Sequence, residues 1–256
     1  MDATGAEPRV AVLIDADNAS HRRMKAVLDE VAKYGNPTIK RVYGDWSDDR
    51  LANWMPKLNT HGLRAMQQRA YTPGKNSTDL ALVIDAMDLL YAGNVEAFAL
   101  VTSDSDFTSL AVRLRESGKT VYAIGEGKTP LSLQNAVDVF IKLENLDDAE
   151  KPRATLTSPD SPKTPERPTS SALQSLLTRA VNAAAGTGQW ASLASVGNHL
   201  HRLDPSFDTR EHGYPKLAEL VEQPYLETKP NGTQLLVKVR GPVKKAPAKK
   251  TVAKKA

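Results

Sequence analysis

The chain has no cysteine among its 256 residues. Disulfides are therefore excluded, as is any zinc site built on thiolates, so a bound metal would have to rest on oxygen or imidazole. Long apolar runs are also missing. None approaches the roughly 18 residues of a membrane span, and the first ten residues, MDATGAEPRV, have neither the basic nor the apolar region of a signal peptide. The expectation is a cytoplasmic chain that does not engage membranes. No GxGxxG follows the first predicted strand, so a dinucleotide cofactor is not expected. His199 and His201 lie two apart on a predicted helix and fall on different faces, which suits core and surface roles better than a shared metal.

Acid and base are unevenly spread. The last sixteen residues, GPVKKAPAKKTVAKKA, hold six lysines and no acid, and removing them from a net charge of +4 leaves the remainder at −2. The basicity is local and points to a tail that meets a polyanion. Lys244, Lys245, Lys249 and Lys250 are its candidate nucleic-acid contacts.

Composition divides the chain. Residues 1–8 read as a flexible N-terminus, 9–146 as a first folded unit, 147–170 as a Pro/Ser-rich linker, 171–240 as a second unit and 241–256 as a disordered Lys/Ala-rich tail. The first unit alternates strand and helix signals. RVAVLI is followed by a helix from Ser20 to Tyr34, TIKRVYG by a helix from Asp49 to Thr60, and LRAMQQR by a helix from Ser77 to Tyr91. The strand AFALVT, a helix from Phe107 to Ser117 and the strand TVYAIG complete the series. Such alternation predicts an α/β fold, a parallel sheet flanked by helices. The second unit offers helices at ALQSLLTRAVNAA, SLASVGNHLHRL and YPKLAELVEQ, then YLETK and TQLLVKV joined by PNG, a small winged-helix-like pattern.

In open parallel sheets the working crevice lies beyond the carboxyl ends of the strands, where strand order reverses. Asp15 and Asp17 follow the first strand, Asp104 and Asp106 follow the fourth, and Asp79 opens the helix between them. Each taken alone reads as a helix cap or first-turn residue. Taken together they are costly: two like charges about 4 Å apart repel by roughly 4 kcal/mol at an effective dielectric of about 20. A divalent cation removes that cost, and an all-oxygen shell suits Mg²⁺ or Mn²⁺. Asp85 and Asp88 lie further along the same helix, off the face of Asp79, and read as solvated or supporting groups. The loop GEGKTP resembles half a phosphate-binding loop, but that motif needs glycine at position 122, where Tyr122 stands, so it reads as a turn.

LIDADN, KNSTDLALVIDA and LVTSDSDF together resemble the NYN family of PIN-like nucleases over residues 9 to 146. The resemblance implies a metal-dependent ribonuclease in which Asp15, Asp79 and Asp104 are metal ligands and Asp106 is a further acidic member. Asn18 matches the polar residue that positions substrate or a metal-bound water. Many relatives have glycine where Ala16 stands, a departure that leaves the ligands intact. The second unit, through GQWASLASVGNHLHRL and HGYPKLAELVE, resembles an OST-HTH or LOTUS domain, which implies binding of RNA or of a protein partner without catalysis. Arg22, Arg23 and Lys75 stand close in sequence to the carboxylates and are candidate phosphate contacts.

Two rival functions stand beside the nuclease. DADNA resembles the DxDx[TV] nucleophile motif of haloacid-dehalogenase-like phosphatases, but Ala19 occupies the Thr/Val position and TSDSDF does not reproduce GDxxxD. The other rival is a non-catalytic RNA-binding adaptor. Keeping the whole carboxylate set argues against simple loss of turnover, because a dead site has no reason to retain the repulsion.

Overall fold

The computed structural model describes residues 7–68, 77–146 and 171–240. They belong to two units, Met1–Pro168 with Leu200–Tyr214, and Thr169–His199 with Pro215–Ala256. Among the described residues no helix is long and apolar enough to cross a membrane.

The first unit runs β1 (Arg9–Asp15), α1 (Met24–Val31), β2 (Asn36–Gly44), α2 (Met55–His61), β3 (Arg64–Gln67), α3 (Ser77–Ala92) and β4 (Ala97–Val101). It continues through α4 (Thr108–Glu116), β5 (Thr120–Gly125), α5 (Leu131–Ala136) and β6 (Val139–Lys142). The strands form one six-stranded sheet in the order β3-β2-β1-β4-β5-β6, parallel throughout. This is the expected helix-flanked PIN-like α/β architecture.

Strand β1 shows why its sequence is apolar without a break. Val10, Val12 and Ile14 join Met24 and Val27 of α1 in the core on one face. Ala11 and Leu13 join Leu82 and Ala86 of α3 on the other. With both faces covered, no position is left for the polar residue that a half-exposed strand would show at every second place. A short helix α5 and the strand VFIK of β6 were not among the expected elements; six and four residues are too few to display a period.

Two helix starts differ from expectation in the same way: the stretches expected to open α1 and α2 begin as 3-10 turns at His21–Arg23 and Asp49–Trp54 before the α-helix takes over, while α4 starts at Thr108, one residue after the expected Phe107 and behind a 3-10 turn at Ser105–Phe107. In α2 the change falls at Met55, with Pro56 in the first turn, where its missing N–H costs nothing.

The segment Leu200–Tyr214 also belongs to this unit. The N–H of Phe140, on edge strand β6, donates to the Pro205 carbonyl at 2.8 Å, so the edge is covered rather than left open for pairing. Arg210 is paired with Asp208 at 2.7 Å and reaches the buried Glu30 at 3.4 Å.

The second unit comprises α6 (Ser171–Ala185), β7 (Ala191–Ser192), α7 (Leu193–Leu203) up to His199, α8 (Leu217–Leu220), β8 (Leu226–Asn231) and β9 (Gln234–Val239). The strands form an antiparallel sheet in the order β7-β9-β8. The third expected helix is reduced to Leu217–Leu220, bracketed by Pro215 and Pro224. The hairpin turn begins two residues later than expected. Pro230 and Asn231 stay in β8, Asn231 pairs with Gln234, and Gly232 takes the positive φ of 60° that the tight turn needs.

Candidate active site

Strand order reverses between β1 and β4, and these two strands are neighbours with Ile14 beside Val101. One residue beyond that pair stand Asp15 and Thr102, at the carboxyl ends where a crevice forms. Asp15 is fully buried. Its Oδ1 accepts from the N–H groups of Asp17 at 3.1 Å and Asn18 at 3.3 Å, and its Oδ2 accepts from Asn18 Nδ2 at 2.8 Å and Thr102 Oγ1 at 3.1 Å. A carboxylate offers about four acceptor positions, and here all four are engaged. Burial nevertheless raises the Asp15 carboxyl above the ordinary aspartate range, against the pull of these donors.

The next strand end repeats the device. Asp104 Oδ1 accepts the Asp106 N–H at 2.9 Å, capping the 3-10 turn Ser105–Phe107, while the Asp104 N–H donates to Thr102 Oγ1 at 3.1 Å. Thr102 thus joins Asp15 to Asp104 through one hydroxyl. Gly125, at the end of β5, allows this close approach, since a Cβ there would stand 2.6 Å from the Thr102 carbonyl oxygen. The capping role expected of each aspartate alone is therefore realised at Asp104, whereas Asp15, the last residue of β1, holds the N–H groups of a turn and caps no helix.

Asp79, in the first turn of α3, completes the grouping. Its carboxyl is pushed up to about 6, by burial first and then by the charges of Asp15, Asp104, Asp106 and Asp17. Four of the candidate acids are thus close enough to perturb a fifth. Among the described residues, no three acidic or histidine side chains converge on one point as a metal's coordination shell requires. The donor set is all oxygen, as a hard divalent ion prefers, but the Asp15 oxygens are held by protein donors.

The remaining candidates are spread. Asn18 is spent on Asp15 in this arrangement. Arg22 is exposed, and the Arg23 guanidinium donates to the Leu143 carbonyl. Lys75 and the tail residues Lys244, Lys245, Lys249 and Lys250 lie outside the described residues. Of the two acids expected to be solvated or supporting, Asp88 is exposed and Asp85 is half-buried. It accepts from both Arg41 and Tyr43 of β2, an ion pair whose side chains are only 19% and 17% exposed for Arg41 and Asp85. Burial and the neighbouring Asp85 carboxylate raise the Tyr43 phenol far above its ordinary value. The GEGKTP loop is a turn whose Gly127 N–H donates to both oxygens of Glu144, at 2.9 and 3.0 Å. His199 Nδ1 lies 2.9 Å from the Ser195 carbonyl, within its own helix. Sequence reasoning missed Thr102 altogether; its only signal was a hydroxyl residue placed between the end of a strand and the SDSD run.

Comparison with known proteins identifies two domains. The NYN domain model matches residues 9–144 and the OST-HTH/LOTUS domain model matches residues 167–232. The chain belongs to the NYN domain family, which lies within the PIN-like nuclease superfamily. An uncharacterized protein of Methanocaldococcus jannaschii, MJ0482, is 29% identical over 145 residues, covering 54% of this chain and 56% of that relative. The chain therefore matches little more than half the length of this relative. A Vibrio parahaemolyticus protein of unknown function, VPA0982, is similar over 57% of this chain and 97% of its own, at 19% identity and a TM-score of 0.47. MurG of Acinetobacter baumannii covers 52% of this chain and 40% of its own, at 15% identity and a TM-score of 0.36.

Proposed function

We propose that the protein is a divalent-metal-dependent ribonuclease with an RNA-binding C-terminal module. The observation that carries this reading is the Thr102 hydroxyl joining Asp15 to Asp104 at the sheet's switch point, where these acids and Asp79 concentrate a negative potential that also raises the Asp79 carboxyl. Mg²⁺ or Mn²⁺ held by Asp15, Asp79 and Asp104, with Asp106 beside them, would neutralise that potential, activate water and stabilise charge on the leaving oxygen of a phosphodiester.

The chain's own residues set the conditions. Thr102 holds Asp15 and Asp104 in register. Asp15 would help hold the ion, and Asn18, which here donates to Asp15, would then orient RNA or water. Arg22 presents a positive charge just past the Asp15 loop, where it steers a phosphate backbone. A second reading, an RNA-binding scaffold without turnover, draws on the four protein donors that already occupy Asp15.

One experiment separates the two. Full-length protein is incubated with single-stranded RNA in Mg²⁺, in Mn²⁺ and in excess chelator, beside Asp104→Asn, which keeps size and removes a charge. The nuclease reading expects cleavage with metal, none with chelator, and a loss of at least a hundredfold in the variant with RNA affinity retained. Full activity in the variant or in chelator would remove the metal assignment. Binding without cleavage under every metal condition would establish the scaffold.

A further inference from the structure

The small sheet of the second unit has one face in the core and one in solvent. Ala191 of β7 and Val237 of β9 are paired and buried, so the residues next to them point the other way. Trp190 immediately precedes β7, and Lys238 immediately follows Val237, which brings both to the outer face. Lys229 on β8 pairs with Leu236, two positions from Lys238, and shares that face. The side chains meet there. The Lys229 ammonium lies 4.3 Å and the Lys238 ammonium 4.6 Å from the centre of the Trp190 ring.

A tryptophan on the outward face of a wing fills no core, and two cations gathered on it are not explained by folding. Lys238 is shared with Glu227, at 3.0 Å. Lys229 is exposed and, among the described residues, has no carboxylate partner. Beside this face opens a cleft of about 530 Å³, lined by Asn182, Gly186, Gly188, Gln189, Lys238 and Val239 among others. Asn182 and Gln189 are exposed, and each carboxamide offers both donors and an acceptor, the pattern that reads the edge of a base. Glycines at 186 and 188 keep the rim low enough for a planar ring to enter.

We propose that this outer face binds single-stranded RNA, with Trp190 as a base-stacking platform, Lys229 and Lys238 as phosphate contacts, and Asn182 and Gln189 contacting base edges. The proposal rests on the reading of the second unit as an RNA-binding module. Its chemistry is that of single-strand binders, where an aromatic face takes a base and neighbouring cations follow the backbone. The lysines over the indole are held by an exchangeable contact. A phosphate draws an ammonium outward and leaves the ring to the base. A duplex, whose bases are already stacked, cannot use the platform.

The test uses the full chain in chelator, so that binding is measured without cleavage. Labelled single-stranded RNA of about 12 nucleotides and a duplex of the same sequence are titrated against wild type, Trp190→Ala, Trp190→Phe and Lys229→Gln/Lys238→Gln. Stacking on one aromatic corresponds to roughly 5- to 150-fold in affinity, so Trp190→Ala should weaken single-strand binding about tenfold or more. Trp190→Phe should stay within about threefold, and the double lysine variant should flatten the salt slope by about 1.4, at 0.7 per phosphate contact. RNA should also quench tryptophan emission more in wild type than in Trp190→Phe, which keeps only Trp46 and Trp54. That comparison holds even if Trp190→Ala does not fold. Unchanged affinity in a folded Trp190→Ala, equal quenching in wild type and Trp190→Phe, or a preference for duplex overturns the site while leaving RNA binding by the module in place. If the unaltered chain binds no RNA, the reading beneath the proposal falls instead.

Discussion

The Thr102 hydroxyl donates to Asp15 Oδ2 at 3.1 Å and accepts the Asp104 N–H at the same distance. One side chain thus couples the ends of β1 and β4. Thr102→Val keeps the shape and removes both bonds, leaving a buried carboxylate one donor short and an N–H unpaired. The expected cost is about 1–2 kcal/mol of stability. Turnover should fall about tenfold to a hundredfold, the range found when groups that orient metal ligands are lost. Thr102→Ser should recover most of both. Thermal unfolding and initial rates at saturating Mn²⁺ check the pair, and a Thr102→Val protein with wild-type rates would show that Asp15 needs no such orientation.

Asp79 makes stability depend on pH in a defined direction. Its carboxyl sits at about 6 in the folded protein against an ordinary 3.8, so the fold favours the protonated form. The resulting stabilisation is complete below about pH 4 and is lost as pH rises through about 6. At pH 7.5 without divalent ions the charged Asp79 is a burden. Asp79→Asn should then be more stable than wild type by about 1–2 kcal/mol, a figure reduced for its partial exposure, and the advantage should shrink towards pH 4. Saturating Mg²⁺ should stabilise wild type alone. Urea titrations at the two pH values, with and without Mg²⁺, measure all of this. An Asp79→Asn advantage that does not change with pH would show that its cause is not this ionisation.

How much of this was legible in the sequence follows from what each residue answers to. The strand–helix alternation announced the sheet because long apolar runs and amphipathic helices carry their own period. It could not announce β6 or α5, whose few residues complete no period. The nearness of Asp15 to Asp104 was readable because Asp15 ends one strand and Asp104 follows soon after another, and a parallel sheet brings strand ends together. For Asp85 the sequence left open a solvated or a supporting role, because helical spacing says which residues share a face, but not what the opposing strand presents. Arg41 and Tyr43, alternate residues of β2, supply that answer only once α3 lies on the sheet. Thr102 was overlooked for a related reason: its carboxylate partner, Asp15, is distant in sequence and no period links the two.

The Asp85 pair gives a prediction that separates architecture from chemistry. Asp85→Ala would leave the Arg41 guanidinium three-quarters or more buried without its carboxylate, and would take away the acceptor of the Tyr43 hydroxyl. Breaking such a pair from one side costs about 3 kcal/mol, slightly less here because both side chains keep some access to water. Initial rates measured well below the lowered melting point should stay within about threefold of wild type. A loss of turnover as large as that of Asp104→Asn, in a folded protein, would instead bring Asp85 into the site.

The C-terminal lysines are expected to bear on affinity and not on rate. Residues 241–256 carry six lysines and no acid. Each lysine that neutralises a phosphate releases a counterion, and on a single strand this adds about 0.7 to the slope of log affinity against log salt. Full engagement would therefore add about 4 and engagement of half the lysines about 2. Deleting 241–256 should weaken RNA binding most at low salt and flatten the slope by about 2, with little effect at high salt, where the counterion gain is small. Combined with Lys229→Gln/Lys238→Gln, the two losses of slope should add, since tail and sheet would hold different phosphates of one strand. The rate at saturating RNA should stay nearly unchanged, because no lysine of the tail is among the groups proposed to hold the metal. Equal salt slopes for the full-length and truncated proteins would show that the tail carries no phosphate contacts.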